Sequence, residues 1–323
     1  MAIAEIREQD VALLIGIEAI EGQAESLVAA DVLNATVTSW KKAETLVERD
    51  HRTQARPLDV KQQATREWWE FGLDVPYAFS GVAGTPSALE SVFRMCGADA
   101  VVVANTSVTY SRAKLRDFDS AMVQMHTPLA DGSESYVRTA TASRGQLNFK
   151  MTVGEDIVFS VASAVGNYHE PVSGAVITPN YGNQRTNLFG APRASKLTTK
   201  LLNGKAICFH SIDATNFFGY SIQHSENSCV ERAEPMDSKP AGTIKVQIEM
   251  PDWADWNPYI LSNRSTLNTV PFAVECGVVA GKILAATVAE VQVGEPNEVI
   301  LSNKKRGIEL MLQIVHNPQI VEK

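Results

Sequence analysis

Residues 138–166 read RTATASRGQLNFKMTVGEDIVFSVASAVG, and their reading decides the fold class. Segments 136–141, 145–152 and 157–165 have the β-branched and aromatic character of strands, and Arg144-Gly145 and Gly154-Glu155 punctuate them as turns. Upstream, 107–110 and 121–126 read as strands, with a further turn at Asp131-Gly132. Earlier still, TREWWEFGLDV (65–75) places Trp69, Phe71 and Leu73 on one face and Arg66, Trp68 and Glu70 on the other. Residues 34–40 alternate as a strand that AETLVERD (43–50) continues, and the polar stretch 51–63, with Pro57, is a long loop. One short helix is expected over 88–96. Thr85 to Ser87 can cap it, Ala88, Leu89, Val92, Phe93 and Met95 recur at helical spacing, and Gly97 closes it.

Downstream, 167–195 is rich in Gly, Pro and Asn without a period, which suits a connection between domains. Residues 201–212 then read as a hairpin through Asn203-Gly204, followed by strands at 218–224, 242–249, 270–276, 282–293 and 307–315. In 242–249, Ile244, Val246 and Ile248 share a face. A second short helix is a candidate over 253–261, limited by Pro258. So many short strands with so little helix predict a mainly β protein of sandwich or barrel-like type.

At 323 residues and 35.1 kDa the chain exceeds what one core usually serves, so two domains are expected. With 45% hydrophobic and 20% charged residues it can bury enough apolar surface to fold. The longest apolar run, 11–17, falls far short of a spanning helix, and Glu5, Glu8 and Asp10 are unlike the basic start of a secretory signal. Neither a membrane anchor nor signal-directed export is expected. Cys96, Cys208, Cys229 and Cys276 stand singly, as reduced and mostly buried thiols would in a reducing compartment.

The net charge is −8 and unevenly placed: 15 basic and 23 acidic residues fall in 1–175, whereas 176–323 holds 14 of each. A surface of this sign repels nucleic acid at long range and offers no phosphate-gripping stripe. Gly81–Gly84 (GVAG) lacks the Lys-Ser or Lys-Thr of a phosphate loop, and the six histidines never fall at HxxxH or HExxH spacing. No hydrolase elbow is present, and no cofactor, metal site or catalytic set is expected. Glu155-Asp156, and Asp252 and Asp255 beside Trp253 and Trp256, have the residue types of glycoside hydrolysis but equally those of turns and caps. Trp68-Trp69 similarly suits either a sugar platform or a core and an interface.

Element order is similar in the two halves. VERD (47–50), a loop, the strand 65–75 and the helix 88–96 are matched by VERA (230–233), a loop, the strand 242–250 and the candidate helix 253–261. This order predicts an internal duplication.

In this pattern the chain resembles the major tail tube proteins of long-tailed, non-contractile bacteriophages. The resemblance is carried by LIGIEAIEG (14–22), AETLVERD (43–50), ALESVFRMCGA (88–98), TSVTYS (106–111) and the stretch 138–166. It covers most of 11–175 and continues more weakly through VERAEPMD (230–237) and GTIKVQIEMPD (242–252), while 181–195 departs from it. It implies two tail-tube-type β-sandwich domains, each with a flanking helix: an N-terminal arm at 1–12, domain one at 13–175, a linker at 176–195 and domain two at 196–323. It also implies a non-enzymatic virion protein, made in the host cytoplasm. Its subunits would join sheets edge to edge into rings that stack as a conduit for DNA ejection, with tape measure and tail terminator proteins as partners. DNA would pass through the lumen unbound, beside an acidic wall. With duplicated domains three chains would give a pseudo-sixfold ring, in preference to a hexamer with decorating domains. Arg52, Arg56, Asp59 and Lys61 in the long loop are the candidate ring-to-ring contacts. The alternatives are a tail terminator or other tube-fold component, or a glycan-binding or glycan-cleaving protein using Trp68, Trp253, Asp252 and Asp255.

Overall fold

The computed structural model describes residues 11–50, 60–129, 132–182, 184–185, 197–226, 231–238, 242–250 and 269–323. Its first half contains β1 (Ala12–Ile17), β2 (Val32–Leu33), β3 (Thr36–Asp50), β4 (Val60–Pro76), the helix α1 (Glu90–Met95), β5 (Ala98–Val103), β6 (Ser107–Arg112), β7 (Ala121–Pro128), β8 (Glu134–Thr152), β9 (Val158–Tyr168) and β10 (Val172–Ala175). Its second half contains β11 (Leu197–Leu202), β12 (Lys205–Ala206), β13 (Phe209–Thr215), β14 (Tyr220–Glu226), β15 (Glu231–Asp237), β16 (Thr243–Glu249), β17 (Val270–Cys276), β18 (Leu284–Val293), β19 (Asn297–Ile300) and β20 (Arg306–Glu322). The protein is mainly β, as the strand patterning predicts, and its large sheets are antiparallel.

Pairing sorts these strands into two runs. The first has the spatial order β3-β4-β9-β8-β7-β1 and the second β13-β16-β20-β18-β17-β11. β2 adds to β1, and β12 adds to β11. Counting these six strands as they enter the chain, each run places its second, third, sixth, fifth, fourth and first strand side by side. The pairs β3–β4 and β13–β16 share a register shift in the same place, at Val37/Ser39 and at Phe209/Ser211, and β3–β4 has a second at Thr45/Leu46.

Several local expectations change. The stretch 136–152 is one strand, not two joined by a turn at Arg144-Gly145. Ala142 takes φ +48 and the register shifts around Arg144, so the strand bulges and bends instead of reversing. VERD closes the outgoing strand β3, whereas Glu231–Ala233 opens the returning strand β15, so these two motifs are not equivalent in space. The correspondence of β4 with β16 does hold in the pairing, and the candidate helix 253–261 lies outside the described residues. Within the expected connection, β10 pairs with the start of β8. The last strand runs on to Glu322, past a bend at Asn317, φ +51.

α1 forms where expected and buries Val92, Phe93 and Met95. Gly97 closes it at φ +89, and a Cβ there would meet the Tyr220 and Phe118 rings at 2.5 and 2.6 Å. One apolar cluster takes residues from both sides of 176–195, including Phe71, Phe93, Phe149, Phe159, Phe217, Phe272 and Leu312. Asn203 (φ +52) and Gly204 (φ +74) make the expected tight hairpin.

Candidate functional site: the joint between the runs and the edges left open

The two runs meet inside the chain as one continuous sheet. The end of β8 passes beyond β7, and its freed edge pairs with β13: Phe149↔Ala214, Lys150↔Asp213, Met151↔Ile212 and Thr152↔Ser211. Phe217 N–H donates to the Leu147 carbonyl at 2.7 Å, and Val153 N–H donates to the His210 carbonyl at 3.0 Å. On the core side Phe149 meets Phe217 edge to face at 5.2 Å. Phe149, Met151, Ile212 and Ala214 are buried, each large side chain contributing about 1.5–3 kcal/mol by leaving water.

A second contact strengthens this joint. The ribbon β14–β15 lies over β8 and β9. Trp68 stacks on His224 at 4.9 Å, and Asn167 Nδ2 donates to the Glu231 carbonyl at 2.7 Å. The Arg144 guanidinium, held in the β8 bulge, donates to the Ala233 carbonyl at 2.7 Å, to the Phe118 carbonyl at 2.9 Å and to Glu21. Beside it the buried Glu18 accepts from Ser120 Oγ at 2.6 Å and from Ala142 N–H at 2.8 Å. A buried arginine and a buried carboxylate persist here because each is hydrogen-bonded.

The joined sheet β3-β4-β9-β8-β13-β16-β20-β19 ends in two edges: among the described residues β3 pairs only with β4, and β19, which extends β18 along β20 beyond the end of β17, pairs only with β20. Away from this path β5, β10 and β12 also pair on one side only. Ile300 of β19 is 79% exposed. Leu46 of β3 is also exposed.

The other face of the joined sheet is polar. Lys150, Asp213 and Lys245 form one cross-strand row, and Thr152, Ser211, Gln247, Glu309 and Asn297 form another. Ser211 Oγ donates to Gln247 Oε1 at 3.1 Å, and Gln247 Nε2 donates to Glu309 Oε2 at 3.0 Å. That hydrogen bond from the Gln247 amide, with Lys245 at 3.0 Å, holds the Glu309 carboxyl below its ordinary value. On this face Asp74, Asp213, Glu249 and Glu309 stand among Lys150 and Lys245, and Glu249 is paired with Lys305 at 2.9 Å.

Of the candidate ring-to-ring residues, Arg52, Arg56 and Asp59 lie outside the described residues. Lys61 stands in a strand and not in the expected loop 51–63: β4 begins at Val60, and Lys61 pairs opposite Arg49 at the far end of the β3–β4 ribbon. Trp253, Asp252 and Asp255 are also outside. Trp68 has one ring face on His224, and its Nε1 donates to Glu70 at 3.1 Å; Trp69 is buried. Glu155 N–H closes the β8–β9 turn on the Thr152 carbonyl at 3.0 Å. A groove of about 620 Å³ is lined by Arg112, Tyr220, Asp237 and His316, where Arg112 is committed to the Phe218 carbonyl and Asp237. Burial raises the Cys276 thiol to about 12 and pushes Cys96 up as well, away from nucleophilic use. Among the described residues no three His, Cys, Asp or Glu side chains form a metal-binding group, and no helix is long and apolar enough to cross a membrane.

The open edges escape sequence reading because edge status belongs to the pairing order and not to any segment. The nearest signal is Val299-Ile300-Leu301, an apolar trio set between polar turns. No protein-family model matches the chain, and a search of curated proteins finds no match.

Proposed function

We propose that the protein is a structural subunit that assembles with copies of itself into the stacked rings of a phage-type tail tube, a conduit for DNA. The observation that carries this reading is the joint: two runs of the same strand order meet edge to edge, and the assembly still has an open edge at each end. An open sheet edge is protected by charge, by a bulge, by a covering element or by closure, and a ring supplies closure. The repeated strand order and the shared register shift favour two duplicated tube-type modules, so three chains would supply six. The polar face, which mixes carboxylates with lysines and has no phosphate-gripping stripe, suits a wall past which DNA slides without sticking. In this reading the protein resides in the virion tail, has no catalytic role, and meets tape measure and terminator proteins at the tube ends.

Negative-stain electron microscopy of the purified chain at rising concentration tests the proposal. Stacked rings with threefold or pseudo-sixfold end views are expected. Single rings that never stack would point to a terminator, and monomers at every concentration would overturn the assembly reading.

A further inference from the structure

The joint inside the chain is a template for a joint that the chain leaves unmade. The common register shift aligns the cross-strand row Val37, Leu73, Val161, Leu147 of the first run with the row Phe209, Ile248, Ile308, Glu298 of the second. Ser39 thereby takes the place of Ser211, and Lys42, three residues on, takes the place of Ala214. By the same alignment Ile300 takes the place of Phe149, two residues beyond Glu298. Within the chain Phe149 and Ala214 face each other and are buried; Phe149 is 1% exposed where Ile300 is 79% exposed. An isoleucine on the core-side row, bare in one copy, is where a second copy would continue the core.

We infer that the two ends of the joined sheet are each other's partners: Ile300 of one copy stands opposite Lys42 of the next as Phe149 stands opposite Ala214, and the antiparallel register continued from that one pair sets 297–300 against 42–45, with Val299 opposite Ala43. The contact is head-to-tail, with different surfaces on the two sides, so it generates a ring when the rotation closes. This inference rests on the assembly reading and adds the specific edges and their register. The register also sets Glu298 opposite Glu44, a like-charge pair that opposes association. Lys42 lies diagonally from Glu298 and offsets part of it.

The test is a cysteine pair, Ala43→Cys with Val299→Cys, in the full chain with Cys208 and Cys229 changed to serine. Directly opposed residues bring their Cβ atoms to about 4.5–5.5 Å, within reach of a disulfide. Mild oxidation is expected to give covalent dimers and trimers that reductant dissolves, and neither single variant should give them. Two further variants are read by the concentration at which rings appear: Ile300→Asp is expected to raise it at least tenfold with an unchanged melting temperature of the monomer, and Glu44→Gln to lower it a few-fold. Rings that form without cross-linking, or that are indifferent to Ile300→Asp, would overturn the edge assignment and leave the assembly reading standing. No rings from the unmodified chain would overturn both.

Discussion

Glu322 is a carboxyl sealed inside the protein, 7% exposed, accepting from Tyr77 Oη at 3.1 Å and Ser87 N–H at 3.0 Å, with Tyr110 Oη at 3.4 Å. Burial raises its pKa more than these donors lower it. The folded protein therefore holds this proton at pH values where the unfolded chain has released it. Stability is lost as pH rises from the ordinary carboxylate range toward the raised value. The melting temperature of Glu322→Gln relative to the native chain should climb as pH rises above the ordinary carboxylate range, and a constant difference would refute the assignment. Gly97→Ala forces φ +89 on a residue with a Cβ and drives that Cβ into two rings. A loss of about 2 kcal/mol or more in denaturant titration is expected. Arg144→Met strands the Ala233 and Phe118 carbonyls and removes the Glu21 partner. It should cost about 2–4 kcal/mol and speed amide exchange across β14–β15.

At the scale of elements, two long strands organise the molecule by changing partners along their length. β8 pairs with β7 and β10 through its first half and with β13 through its last residues; β20 pairs with β16 and β19 early and with β6 at its end. Their parts were legible in the sequence, since Leu147, Phe149 and Met151 and the row Ile244, Val246, Ile248 alternate as half-buried strands must. Their continuity was not: Arg144-Gly145 has the look of a turn, and only the partners of Arg144 show a bend held from both sides. β5 passed unread because Val101–Val103 are exposed and give no alternation. The β3–β4 ribbon remains the candidate for contact between stacked rings. Replacing 51–59 by a two-residue turn keeps the ladder from Asp50↔Val60 inward, so folded subunits and single rings are expected by electron microscopy. Long tubes from that variant would remove the loop from the stacking contact.

For the whole molecule, the pairing of β8 with β13 and of β6 with β20 ties the halves through a common core. A chain cut to residues 13–175 would bare Phe149 and Tyr110 and the edge of β8. It is expected to be insoluble or to lack a cooperative melt, whereas the full chain should melt in one transition by calorimetry. Two separate transitions would show that the halves fold independently. The sequence carries the strand content but says little of this union, because the residues that make it are ordinary core residues until their partners are known.

The joint also bears on how assembly responds to supply. Two sheet modules linked in one polypeptide meet at an effective concentration fixed by the chain and not by the cell. In the proposed ring, three such chains would accumulate by mass action with the cube of subunit concentration, where six loose modules would require the sixth power. The onset would be correspondingly gentler, and a shortfall in synthesis would thin the population of finished rings without abolishing it.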